Sequence, residues 1–218
     1  MSMKYLFLSV FVIASIIHLY ASHKSNSKLR AQSKGFLLLS LLGWYCCAAS
    51  CVQPIVIAAI LTSWLGDVLL IPKGVKWFAL GGISFAVSHF FFALTYCQNV
   101  DFAALPIWAV VLIAAFYIIA VLLVFRGLGD CLPEKLYYPM FGYLLINGAM
   151  NCFALFQLLT VPCAATVITF VGAVLFFASD SALFYTRFKK DSVFKNHFFV
   201  MLSYIIGEFL IVLGIVML

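Results

Sequence analysis

Charge is what this chain lacks. Only 9% of its 218 residues are Asp, Glu, Lys or Arg, against about a quarter in a soluble domain, while 66% are hydrophobic. A soluble enzyme or nucleic-acid-binding domain is excluded, because neither could keep so apolar a surface in water. Acidic residues are scarcest, at 7. None of the 7 cysteines forms a C-x-x-C pair, so neither a zinc site nor a disulfide framework is indicated. The cysteines fall mostly in apolar runs and are expected as small buried hydrophobes. There is also no G-x-S-x-G elbow, H-E-x-x-H helix or P-loop. Of the 4 histidines, His23 and His197 are expected outside or at the membrane edge, which supplies a multi-histidine metal centre poorly; no metal or cofactor is expected.

What is present is a succession of apolar runs. A membrane-crossing helix needs about 20 mainly apolar residues. Runs bounded by charge, Pro and Gly predict eight spans, near 5–21, 35–51, 53–71, 76–96, 104–125, 136–159, 161–186 and 197–218. The expected fold is all-α, a polytopic membrane helical bundle forming one domain over 1–218. The N-terminal run lacks a small-residue cleavage pattern and reads as a retained span.

Basic residues set the orientation, because Lys and Arg accumulate on the cytoplasmic side. Twelve of the 13 lie after the first, third, fifth and seventh spans, the last group being Arg187, Lys189, Lys190 and Lys195; Lys4 alone lies on the other face. Both termini are therefore expected to be non-cytoplasmic. The net charge of +6 is a topology signal with affinity for anionic headgroups, not a nucleic-acid footprint.

Two carboxylates stand out within this apolar background. Asp67 lies in LTSWLGDVLLIPKG (61–74) and Asp180 in FFASDSALFYTRFKK (176–190), each followed by a basic cluster. An ionisable group inside a membrane is costly and marks a functional site unless it merely anchors helices. Spans 3 and 7 run in the same direction, so both aspartates are expected at similar depth near the cytoplasmic end. The basic loop after each leads into FAVSHFFFAL or VMLSYIIGEFL, an echo consistent with a four-plus-four internal repeat.

Other polar groups lie within the spans. Tyr143, Asn147 and Asn151 are spaced by four and share one helix face, as do Tyr204 and Glu208. Lipid offers them no hydrogen-bond partner, so these stripes face the bundle interior, as interhelical ties or as the lining of a polar cavity. His89 reads as a satisfied interior histidine or a site residue. Glu208 is expected neutral or paired, with His89 or an asparagine as a partner. Ser63, Ser179 and Ser181 are the hydroxyls nearest the aspartates in sequence.

Two carboxylates sharing a poorly hydrated site divide into an acid and an anion, which equips them for cleavage through a cationic transition state. The chain resembles the YhhN-like lysoplasmalogenase family through SWLGDVLL (63–70), GGISFAVSHFFFALTY (81–96), GYLLINGAMNCFA (142–154), GAVLFFASDSALFYTRF (172–188) and SYIIGEFLIVLG (203–214). The resemblance implies hydrolysis of the vinyl ether bond of a lysoplasmalogen, giving a fatty aldehyde and a glycerophospho-ethanolamine or -choline, with Asp67 and Asp180 as the essential aspartates. Lys34 departs from the family pattern by preceding Gly35, and Glu208 stands where glutamine is expected. The substrate would be a lysophospholipid, its phosphate held by basic residues such as Lys34, Lys73, Arg187 and Lys189. The membrane would be a bacterial inner membrane in preference to the endoplasmic reticulum. A proton- or cation-coupled transporter and a non-catalytic lipid-binding protein are the rival readings. A dead-end cavity opening sideways to the membrane distinguishes the hydrolase from a transporter with two alternating openings.

Overall fold

The computed structural model describes residues 3–189 and 197–218, and among these the chain is entirely helical. Eight α-helices run α1 (Met3–His23), α2 (Ser27–Ala48), α3 (Pro54–Leu69), α4 (Val75–Cys97), α5 (Ile107–Leu128), α6 (Glu134–Thr160), α7 (Ala164–Phe188) and α8 (His197–Met217), with one 3-10 turn at Gly129–Cys131. Six of them, α1 and α4 to α8, are long and apolar enough to cross a membrane. The protein is an integral membrane helical bundle. Helix α3 is apolar but only 16 residues long.

Helix α2 departs furthest from its predicted boundary, beginning eight residues earlier than the apolar run. Ser25 turns the chain back with a positive φ, and the Asn26 side chain caps the new helix by accepting a hydrogen bond from the Leu29 amide at 3.1 Å. Lys28, Arg30 and Lys34, expected in a loop, therefore stand on a rigid helix. The predicted loop residues Lys190 and Lys195 lie outside the described residues.

Seven helices close a ring in which α1 neighbours α2, then α3, α4, α6, α7 and α8, and α8 returns to α1. Helix α5 stays outside, against α6 and α7. Its outer face, with Ile107, Val111, Phe116 and Leu123 exposed, belongs to the lipid. Within the ring, side chains tie helix to helix through backbone carbonyls, the device that replaces the hydrophobic effect in a bilayer. Ser84 Oγ donates to the Thr62 carbonyl at 2.7 Å, Ser88 Oγ to that of Ala59 at 2.8 Å, and Ser179 Oγ to that of Val200 at 2.8 Å. Trp64 Nε1 donates to the Gly35 carbonyl at 2.9 Å, fixing α3 on α2. Helices α7 and α8 touch backbone to backbone, since a Cβ on Gly172 would stand 2.7 Å from the Gly207 carbonyl oxygen. These contacts set the depth of Asp67 on α3, Asp180 on α7 and Tyr204 on α8.

The cysteines correct one expectation. Only Cys152 is buried; Cys46, Cys47, Cys51, Cys131 and Cys163 are exposed and Cys97 is intermediate. A small apolar side chain in a membrane protein can be satisfied by lipid as well as by a core, so apolar sequence context does not locate it inside the bundle.

Candidate functional site

Both aspartates line one cavity of about 290 Å³ at the end of the bundle where the basic connections lie. It is built from the last turns of α1, α3 and α7 and the first turns of α2, α4 and α8. Asp67 is two residues from the end of α3 and Asp180 eight residues from the end of α7, yet the two helices are offset so that both carboxylates reach the same space.

Asp67 is held by a charge. Lys34 Nζ stands 3.0 Å from its Oδ1, and Tyr204 donates its hydroxyl to Oδ2 at 2.9 Å. The carboxylate is 2% exposed and both its oxygens are engaged.

Asp180 is held by a tyrosine, an asparagine and a histidine. Tyr143 donates its hydroxyl to Oδ2, Asn147 Nδ2 donates to the same oxygen at 2.7 Å, and His89 Nε2 lies 3.3 Å from it. Since the Tyr143 hydroxyl spends its proton on Asp180, its oxygen accepts from His89 Nε2 at 3.1 Å, which puts the imidazole proton on Nε2. Asn151 backs this shell by donating to the Asn147 carbonyl at 3.0 Å and accepting from the Tyr117 hydroxyl at 3.3 Å. Every one of these bonds reaches Asp180 through Oδ2. Among the described residues Oδ1 has no side-chain partner.

The donors cross between the two halves of the chain. His89 of α4 reaches Asp180 of α7, whereas Tyr204 of α8 reaches Asp67 of α3. These are the residues that the two echoing segments align, Ser88-His89 with Ser203-Tyr204.

Basic side chains complete the cavity. Lys73 and Arg187 line it as the sequence predicts, and Arg187 also lies over the Phe78 ring, 5.6 Å from its centre. Lys34 lines it too, but as the ion-pair partner of Asp67 rather than as a free cation. Arg30, His18 and His197 are on the wall as well and were not expected there. His18 donates from Nδ1 to Ser33 Oγ at 2.8 Å, because that hydroxyl's own proton goes to the Leu29 carbonyl. A signal for His18 was available, since Ser15, His18 and Ser22 form a polar stripe at helical spacing, all buried. His197 opens a helix whose first residues fold over the cavity, which its position at a span edge did not reveal.

Three candidates fall elsewhere. Lys189 is not on the cavity wall and donates to the Gly127 carbonyl at 3.0 Å. Ser181 donates to the Phe177 carbonyl of its own helix at 2.8 Å and is not on the cavity wall, whereas its neighbour Ser179 is. Two residues turn a helix by about 200°, enough to change neighbours. Glu208 is fully buried beside Ser63, and among the described residues neither of its oxygens has a hydrogen-bond partner of ordinary geometry. It bonds neither His89 nor an asparagine, because Asp180 has taken those donors.

A second cavity, about 510 Å³, lies between α4 and α6. Its walls are almost wholly apolar, among them Ala79, Ile83, Phe90, Pro139 and Ile146. Ile83, Phe90, Tyr138 and Ile146 are exposed on its outer side, so it opens sideways towards lipid. Leu70, Phe78, Phe85, Asp180 and Leu183 belong to both cavities. Asp180 thus stands where a cationic chamber meets an apolar groove.

No curated protein and no solved structure matches this chain. The family model described as the YhhN family matches residues 29–215. That match takes in both aspartates, all of their hydrogen-bonding partners and both cavity walls apart from His18 of α1 and Ser27 at the start of α2, and the chain is a member of the YhhN family.

Proposed function

We propose that this protein is a membrane hydrolase that cleaves the vinyl ether bond of lysoplasmalogens, releasing a fatty aldehyde and glycerophospho-ethanolamine or -choline. The observation that carries this reading is the junction at Asp180: a single-chain phospholipid has a hydrocarbon chain, a phosphate and a labile bond between them, and the two joined cavities match that order. Membership of the YhhN family supports the reaction class. With the basic connections on the cytoplasmic side, the site serves the cytoplasmic leaflet and both termini lie across the membrane from it.

The contacts favour a division of labour. Lys34 is the cation placed to pair with Asp67 as an anion. The three donors at Asp180 Oδ2 leave Oδ1 as the oxygen that carries the proton of the acid form towards the cavities. Asp180 gives that proton to the vinyl carbon remote from the ether oxygen, forming the new C–H bond, and the lone pair of the ether oxygen makes the neighbouring carbon an oxocarbenium ion. The new Asp180 carboxylate is stabilised by Tyr143, Asn147 and His89, and with Asp67 it gives the cavity the negative charge that the cation needs. Water adds to the cationic carbon and returns a proton to Asp180. The hemiacetal then loses the glycerol oxygen as a hydroxyl and leaves the aldehyde. Lys73, Arg30 and Arg187 are placed to hold the phosphate; arginine suits it by two-pronged hydrogen bonding.

The test is aldehyde release by the purified protein from a vinyl-ether lysophospholipid, with the alkyl-ether analogue as control. Release from the vinyl ether alone, lost in Asp180→Asn, is the expected result. A well-folded protein that releases no aldehyde from any vinyl-ether lipid overturns the reading.

A further inference from the structure

We propose that the groove between α4 and α6 is a lateral portal, through which the hydrocarbon chain of a single-chain phospholipid passes between the membrane and Asp180. Gly82 and Gly142 hold it open. This rests on the hydrolase reading for the identity of the lipid, but the portal is a separate property of the fold.

The glycines make the case by contrast. Most helical glycines here are required by packing: a Cβ on Gly43 would stand 2.5 Å from the Phe7 ring, on Gly66 2.6 Å from Phe85, on Gly81 2.8 Å from Leu70, and on Gly207 2.9 Å from the Gly172 carbonyl oxygen. Three are different: Gly35 of α2, which is not on the groove wall, and the pair Gly82 and Gly142. A Cβ at either would meet nothing within 4 Å, yet both sit inside helices, where glycine costs about 1 kcal/mol relative to alanine. Both lie on the wall of the apolar groove, one on each of the helices that form it. The room they leave is the groove itself.

What occupies it follows from where it leads. The groove ends inward on Asp180, which is 6% exposed and whose Oδ1 has no partner among the described residues. Beyond Asp180 lies the chamber of Lys73, Arg30 and Arg187. A neutral hydrocarbon would leave that chamber unused, and a soluble phosphate would leave the groove unused. A chain joined to a phosphate fills both. The groove lines α4 from Phe78 to Phe90, about 18 Å of helix, and it is open along its outer side, so the far end of the chain stays in the bilayer. The two products then part in opposite directions: the aldehyde returns sideways to the membrane, and the water-soluble glycerophosphodiester leaves through the basic chamber. A reaction consuming this aldehyde must draw it from the membrane.

The portal is tested by photolabelling with an uncleavable alkyl-ether lysophosphatidylethanolamine that carries a diazirine in its chain, added to the full-length protein in phosphatidylcholine nanodiscs. Labelled peptides from α4 and α6 around residues 79–90 and 138–146, lost in Gly142→Leu and reduced in Gly142→Ala, are the expected result. The wild-type map decides the matter even if the leucine variant does not fold. Label spread over the lipid-facing side of α5, with equal intensity in wild type and variants, overturns the portal. In parallel, Gly82→Ala and Gly142→Ala are expected to raise KM for a long-chain vinyl-ether substrate roughly tenfold with less effect on kcat, the usual scale of one methylene in a fitted site. Specific labelling without aldehyde release sinks the hydrolase reading and leaves the portal standing. Release with unspecific labelling does the reverse.

Discussion

Asp67 and Asp180 share a cavity, but they are held in opposite ways. Asp67 has a lysine on one oxygen and a tyrosine on the other, so both its lone-pair directions are occupied by groups that want an anion. Asp180 gathers a tyrosine, an asparagine and a histidine on a single oxygen and leaves the other to the cavities. One carboxylate is paired with a cation on a fully engaged pair of oxygens; the other keeps one oxygen turned to the cavities. In the reaction proposed above, this difference gives two identical side chains different steps.

Substitutions can break this asymmetry. The largest effect on turnover is expected from Asp180→Asn, which keeps the shape and the acceptor at Oδ2 but removes the proton donor. Aldehyde release should fall roughly 10²- to 10⁴-fold, the span of general acid catalysis, with an unfolding temperature close to wild type. Asp67→Asn should instead act on stability. It strands Lys34, whose side chain is 14% exposed, and breaking a buried pair costs about 3–5 kcal/mol. Thermal unfolding in detergent should show the loss, and adding Lys34→Met should restore much of the stability without restoring turnover. Full recovery of turnover in the double variant would remove Asp67 from the chemistry.

Smaller changes sharpen the same contrast. Tyr143→Phe removes a hydrogen bond to the developing Asp180 anion and should lower kcat roughly ten- to a hundredfold, since bonds to charged groups contribute about 1.5–3 kcal/mol. Tyr204→Phe removes the matching bond at Asp67 and should lower the unfolding temperature more than it lowers kcat. Tyr117→Phe, three bonds away from Asp180, should change kcat only a few-fold, on the scale of about 1 kcal/mol for a neutral bond. Ser181→Ala should change stability by less than about 0.5 kcal/mol and leave aldehyde release as it was, because its hydroxyl serves only its own helix.

Much of this site was legible in the chain. Aspartates inside apolar runs announce themselves by their cost, and the four-residue spacing of Tyr143, Asn147 and Asn151 places them on one face before any neighbour is known. Periodicity says which way a residue faces within its own helix, and nothing about which helix stands opposite. Hence the sequence offers Glu208 a partner at His89 or an asparagine, although Asp180 holds His89 and Asn147, and it offers Lys34 to a phosphate rather than to Asp67. The exclusion of α5 from the ring was equally invisible, since an all-apolar helix gives no sign of whether protein or lipid surrounds it. Gly82 and Gly142 were illegible for another reason: in sequence they are indistinguishable from glycines that packing demands, and only the empty space beside them sets them apart.

The crossing of His89 to Asp180 and of Tyr204 to Asp67 bears on how the molecule is assembled. Each aspartate takes a donor from the half of the chain to which it does not belong, so neither half contains a finished site, and a nascent chain that has inserted only its first four helices holds Asp67 without Tyr204. The connection at 98–106 joins two incomplete pieces whose chemistry begins at their meeting. Cutting that connection should give two fragments that are silent apart and active together, with the recovery of activity reporting the closure of the ring.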